Sequence, residues 1–135
     1  MDDGLSKPTD VGSLKVGHYV LIDGEPCRIV EFEKSKPGKH GSAKARIVGI
    51  GVFDNTKRSM VSPVDAKTEV PMIEKRNGQV ISISPNSAQL MDMETYQVFE
   101  APIPEPEVAS KLQPGIEVEY WKVLDRIKIM RAKGS

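Results

Sequence analysis

Residues 18–33 read HYVLIDGEPCRIVEFE, two short apolar-rich runs joined at Asp23-Gly24. Aspartate followed by glycine suits a two-residue hairpin turn, because both central positions of such a turn need positive φ. The stretch therefore predicts two antiparallel strands. AKARIVGIGVFD, residues 43–54, follows as a third strand, in which Gly49 and Gly51 permit the sharp bending that a small barrel needs.

After residue 70 the pattern restarts. QVISISP (79–85), AQLMDM (88–93), TYQVFEAPI (95–103), EVEYWKVLD (117–125) and RIKIMRAK (126–133) read as strands. EPEVASKLQPG, residues 105–115, is bounded by prolines and predicts a short helix opened at Pro106. The fold class expected is all-β, with a first small barrel in residues 1–70 and a second barrel in residues 71–135. Five strands with a helix before the fourth suit the oligonucleotide-binding (OB) barrel. One continuous sandwich is the alternative. In LMDMETY (90–96) the alternation of methionine with acid predicts Met91 and Met93 facing the core, with Asp92 and Glu94 outside; a partner-binding methionine surface is the other reading.

Several functions are disfavoured by composition. Lys plus Arg and Asp plus Glu each number 19 in 135 residues, so polyanion binding has no global electrostatic basis. Cys27 is the only cysteine, which rules out an intramolecular disulfide and suits a reducing cytoplasm, with the thiol as a packing group. MDDGLSKPTD at the start lacks the apolar stretch of a signal peptide, and no run is long enough for a membrane helix. His18 and His40 stand apart without a cysteine cluster or HExxH spacing, so no metal is expected. Glu33 and His40 occupy positions where a P-loop needs glycine and a hydroxyl, and no acid–base–nucleophile set can be read, so the chain is expected not to be an enzyme.

A local basic segment remains. Residues 34–46 carry Lys34, Lys36, Lys39, Lys44 and Arg46 with no Asp or Glu among them. Pro37, Gly38 and Gly41 are turn formers around Lys39, so the loop between the second and third strands can present that lysine outward. A phosphate backbone could lie along the two basic arms. An ordinary solvated hairpin tip is the plainer account. In the second half, Trp121, Tyr120, Tyr96 and Phe99 with Lys122, Arg126, Lys128 and Arg131 could serve single-stranded RNA, but core filling is the favoured role for those aromatics.

The segment SKPGKHGSAKARIV (35–48), together with IDGEPCRIVE, VPMIEKRNGQVISI and AQLMDMETYQ, resembles the translation initiation factor 5A family in its archaeal form, which is related to bacterial elongation factor P. The resemblance runs from about Val11 to Lys133. It implies an N-terminal SH3-like barrel and a C-terminal OB barrel. It also implies that Lys39 receives an aminobutyl group from spermidine through deoxyhypusine synthase, giving deoxyhypusine or, after hydroxylation, hypusine. No other cofactor is implied. The partners implied are the ribosome and the P-site peptidyl-tRNA, with relief of stalls such as those at proline runs. Lys36, His40, Lys44 and Arg46 would contact tRNA or rRNA or be read by the modifying enzyme, and Pro37, Gly38 and Gly41 would shape the loop. A general RNA-binding or RNA-chaperone module that works without the modification is the alternative from a different class.

Overall fold

A computed structural model of the chain describes residues 5–36 and 43–133. These form two compact units that divide between Met72 and Ile73.

In the first unit, β2 (Tyr19–Ile22) and β3 (Glu25–Ser35) meet at the expected tight turn, where Asp23 has φ 54° and Gly24 φ 79°. β4 (Lys44–Gly51) pairs antiparallel with β3, and β5 (Lys57–Pro63) pairs with β4, giving the order β2-β3-β4-β5. A separate two-stranded sheet joins β1 (Ser6–Asp10) to β6 (Lys67–Pro71), from the Ser6–Pro71 pair to the Asp10–Lys67 pair. Sequence patterning passed over β1, β5 and β6. In β5 and β6 exposed and half-buried residues alternate, and Lys, Ser, Thr and Glu fill many of these positions, so the apolar stripe that marks a strand is faint.

β3 carries a bulge. Ile29 pairs with Gly49 but Glu31 pairs with Val48, which leaves Val30 as the extra residue. The bulge shifts the inward side of the strand from Cys27 and Ile29 to Phe32. Val11, Leu14, Val20, Ile22, Cys27, Ile29, Ala45 and Ile47 form the core, and Phe32, Met60 and Val70 pack against it. Each fully buried Val or Ile side chain contributes about 1.5–3 kcal/mol.

The second unit has strand order β11-β10-β7-β8-β9, with β7 at Ile73–Ile83, β8 at Ser87–Asp92, β9 at Val98–Pro102, β10 at Glu117–Val123 and β11 at Arg126–Ala132. β9 and β11 come together across the remaining gap, and α1 (Pro106–Ala109) lies before the fourth strand and against β11, the OB arrangement. β7 begins well before the expected residue 79. TYQ of the expected third strand instead belongs to the β8–β9 turn, in which Tyr96 takes φ 62°.

The methionine expectation is overturned here. Ala88, Leu90 and Asp92 are the buried residues of β8, while Met91 is half-buried and Met93, just past the strand, is exposed. Strand alternation is intact, but Ala88 and Leu90 fix its phase, and Asp92 follows them inward.

Gly49 and Gly51 are constrained by space as well as by bending. A Cβ on Gly49 would lie 2.8 Å from Cys27 Cβ and 3.3 Å from the Arg28 carbonyl oxygen, both fixed by the neighbouring strand. Gly49→Ala is expected to cost about 1–3 kcal/mol through overpacking. Urea unfolding of the variant checks this, and an unchanged midpoint would contradict it.

Candidate functional site

The basic loop is carried by β3 and β4. Their register runs without further interruption from Glu31–Val48 to Ser35–Lys44, so paired backbone reaches the base of the loop on both arms. The descending arm is tied in as well. Val64 N donates to Ala43 O at 3.0 Å, and Gly12 N donates to Val64 O at 2.9 Å.

Lys36, Lys44 and Arg46 are exposed. Cross-strand pairing puts Lys44 and Arg46 on the outward face, with the buried Ala45 and Ile47 on the other. Lys44 lies between Ser35 and Pro63 in the register, so no carboxylate faces it from either neighbouring strand; Arg46 lies between Glu33 and Val61. Lys34 is exposed, two residues along β3 from Phe32, and sets its ammonium 5.8 Å from the Phe32 ring centroid. The loop residues Pro37, Gly38, Lys39, His40 and Gly41 lie outside the described residues. His18 is exposed just before β2, as expected, and its carbonyl accepts from Ile29 N at 2.8 Å.

Cys27 is fully buried, and burial pushes its thiol pKa up. Such a thiol is a packing group. Nearby, Asp54 accepts from both terminal nitrogens of Arg58 at 3.1 and 2.8 Å and from Thr56 N at 3.0 Å. The Arg58 hydrogen bonds hold the Asp54 carboxyl well below the usual carboxylate range.

The second unit contains a cleft of about 330 Å³ at one end of the barrel, lined among others by Arg76, Asp92, Gln97, Phe99, Tyr120 and Lys122. Asp92 is its buried centre. Oδ2 accepts from Arg76 Nε at 2.7 Å and from the Tyr120 hydroxyl; Oδ1 accepts from Glu94 N at 2.8 Å and Thr95 N at 2.9 Å. Hydrogen bonding from Arg76, ahead of the opposing burial effect, holds the Asp92 carboxyl far below its ordinary range. Burial, followed by the hydrogen bond to Asp92 and then the Asp92 charge, pushes Tyr120 up to about 12. Sequence patterning missed this group because Arg76, Asp92 and Tyr120 lie on three different strands. These groups satisfy one another, so the arrangement is a structural clasp closing the barrel end. Among the described residues no set of three or more His, Cys, Asp or Glu could hold a metal ion.

The aromatics behave as core residues with one exception. Phe99 and Tyr120 pack with ring centroids 5.1 Å apart. Trp121 is buried, donates from Nε1 to Glu119 at 2.9 Å, and has the Lys75 ammonium 4.7 Å from its ring centroid. Tyr96 is exposed. Lys128 is bound to Glu105 and Arg131 to Glu119, so the four expected cations do not form one free basic groove.

Two family models match consecutive parts of the chain. "Translation initiation factor 5A-like, N-terminal" covers residues 5–66, and "Eukaryotic elongation factor 5A hypusine, DNA-binding OB fold" covers residues 72–133. The chain is 61% identical over 130 residues to translation initiation factor 5A of Pyrobaculum islandicum, spanning 95% of this chain and 98% of that protein. Identity to the Pyrococcus furiosus protein of the same name is 55% over 135 residues, with 98% of both chains covered. Among solved structures, eukaryotic translation initiation factor 5A from Methanococcus jannaschii superposes with a TM-score of 0.88 at 50% identity, covering 98% of each chain.

The clasp predicts a specific pH response. In the unfolded chain Asp92 has an ordinary carboxylate pKa of about 4, whereas the folded value is much lower, so the unfolded state binds more protons in acid. The stabilisation is fully present above about pH 4 and is lost as pH falls further. Asp92→Asn is expected to cost about 1–3 kcal/mol at neutral pH by removing the buried counter-charge of Arg76, which keeps only the exposed Glu74 and Glu94. It should also flatten the acid branch of the stability profile. Denaturant unfolding across the acid range measures both, and an unchanged acid branch would exclude this role.

Proposed function

The chain belongs to the translation initiation factor 5A family, and we propose that it binds the ribosome beside the P-site peptidyl-tRNA and promotes peptide bond formation at stalled junctions such as proline runs. In this reading Lys39, extended by a spermidine-derived aminobutyl group through deoxyhypusine synthase, is the working side chain. The observation that carries the proposal is the paired arm: backbone pairing continues to Ser35–Lys44 and the Val64–Ala43 hydrogen bond fastens its base. Such an arm can hold a loop tip away from the barrel without a large ordering cost on binding.

Aminobutyl transfer breaks the bond between the aminobutyl carbon and the secondary nitrogen of spermidine, releases 1,3-diaminopropane, converts the Lys39 amine to a secondary amine and adds a terminal primary amine. Two cationic nitrogens then share one narrow chain, suited to the phosphates and 2′-hydroxyls of a tRNA acceptor end. Pro37, Gly38 and Gly41 shape the tip. Lys36, Lys44 and Arg46 contact tRNA or rRNA phosphates, and His40 is read either by RNA or by the modifying enzyme. The factor acts in the cytoplasm without a catalytic centre of its own. It restricts unproductive orientations of the peptidyl-tRNA, an entropic contribution to a reaction whose chemistry belongs to the ribosome. Among the described residues no helix is long and apolar enough to cross a membrane.

Two measurements test the proposal. Peptide mass spectrometry of protein from its native cells is expected to find an aminobutyl or hydroxylated aminobutyl addition on Lys39. Lys39→Arg is expected to retain ribosome co-sedimentation while losing most of the acceleration of proline-run synthesis in a reconstituted translation assay. An unmodified Lys39 together with full activity of the arginine variant would overturn the proposal.

A further inference from the structure

The outward face of β8 and β9 is the face with which OB barrels commonly hold single-stranded nucleic acid. In this chain its chemistry is different. Met91 pairs with Val98 across the two strands, and Gln79 and Glu117 continue the same row through β7 and β10. Val98 is 53% exposed, Met93 39% and Tyr96 70%, so the hairpin and its turn bring apolar groups to solvent. Glu100 stands next along β9 on this face, opposite Gln89, and Glu94 lies in the turn between Met93 and Tyr96.

A phosphate backbone would find little compensation here. Lys133 Nζ is 2.9 Å from Asn77 Oδ1 and 3.5 Å from Glu117, and Arg131 is 2.9 Å from Glu119, so these nearby cations already have acidic or polar partners. Arg76 is held by Asp92 in the cleft and also lies 3.9 Å from Glu94, which at 84% exposed is only partly neutralised by it. Base stacking is limited as well, since Tyr96 is the one open aromatic of the four named above.

We infer that this face docks a protein surface rich in lysine and arginine, which inserts an apolar side chain against Met91 and Val98 while its cations meet Glu94 and Glu100. The methionines adapt to the shape of the inserted group. The acidic rim attracts a basic protein and repels RNA, so the chain would meet RNA through the β3–β4 loop and protein through this hairpin. The inference rests on the ribosomal reading for the setting in which the partner is met.

The test places a photoreactive benzophenone amino acid at Val98 in the full chain and, separately, at Arg46, and irradiates each bound to archaeal ribosomes. The Val98 probe is expected to crosslink a ribosomal protein through a peptide of net positive charge. Crosslinking of that probe to RNA or to a second copy of the chain would overturn the inference, as would its silence while the Arg46 probe reacts. Failure of both probes together with loss of co-sedimentation would instead remove the ribosomal reading, and the docking partner with it. Glu100→Lys gives an independent sign: ribosome affinity is expected to fall about tenfold for a basic protein partner, whereas an RNA partner would make it rise.

Discussion

Antiparallel pairing of β3 with β4 is the constraint on which the first unit depends. β3 must serve the core through Cys27 and Ile29 at one end and carry a solvent-exposed loop at the other, and the bulge at Val30 lets one strand do both. Without that extra residue the alternation would continue through Glu31 and Glu33, sending carboxylates inward and Phe32 outward. The bulge preserves the core and leaves the basic end of the hairpin outside it. Packing on one face and presentation of charge on the other follow from the same register.

The zero net charge of the chain conceals an uneven distribution of unspent charge. In the second unit, Arg76, Lys128, Arg131 and Lys133 each sit within ion-pair distance of a carboxylate. Near the loop, Lys44 faces uncharged Ser35 and Pro63 in its register, and Lys36 is exposed just beyond the last pair. Long-range attraction of a polyanion depends on charges that are not already neutralised by neighbours. A whole-chain tally cannot reveal that difference, whereas strand register can.

Legibility in the sequence followed how local each physical signal is. Asp23-Gly24 is a local signal and marked its turn correctly, because the residues at those two positions themselves favour positive φ. Leu124 and Asp125 make the corresponding bend between β10 and β11 with φ of 51° and 61°, yet leucine gives no such warning. There the flanking strands impose the geometry. The OB order was legible from five strand-like runs and the proline-opened helix. Pairing of β1 with β6 was not, since it joins segments roughly sixty residues apart with little apolar patterning. At the candidate site the basic flanks were legible from composition, while the fastening of Ala43 through Val64 to Gly12 depends on tertiary contact.

Asp92 shows why an inward carboxylate need not contradict the rule that cores are apolar. Burying a charge without partners costs several kcal/mol or more, but here two turn amides, a guanidinium and a phenol supply the donors that water would otherwise provide. The same turn that gives Asp92 its amide donors projects Glu94 and Tyr96 outward. Inward phase of Asp92 also forces Met91 to the opposite face, because successive strand residues alternate. The polar clasp and the apolar outer strip are therefore one decision about register: moving β8 by a single residue would bury the methionines, expose the carboxylate and remove both features together.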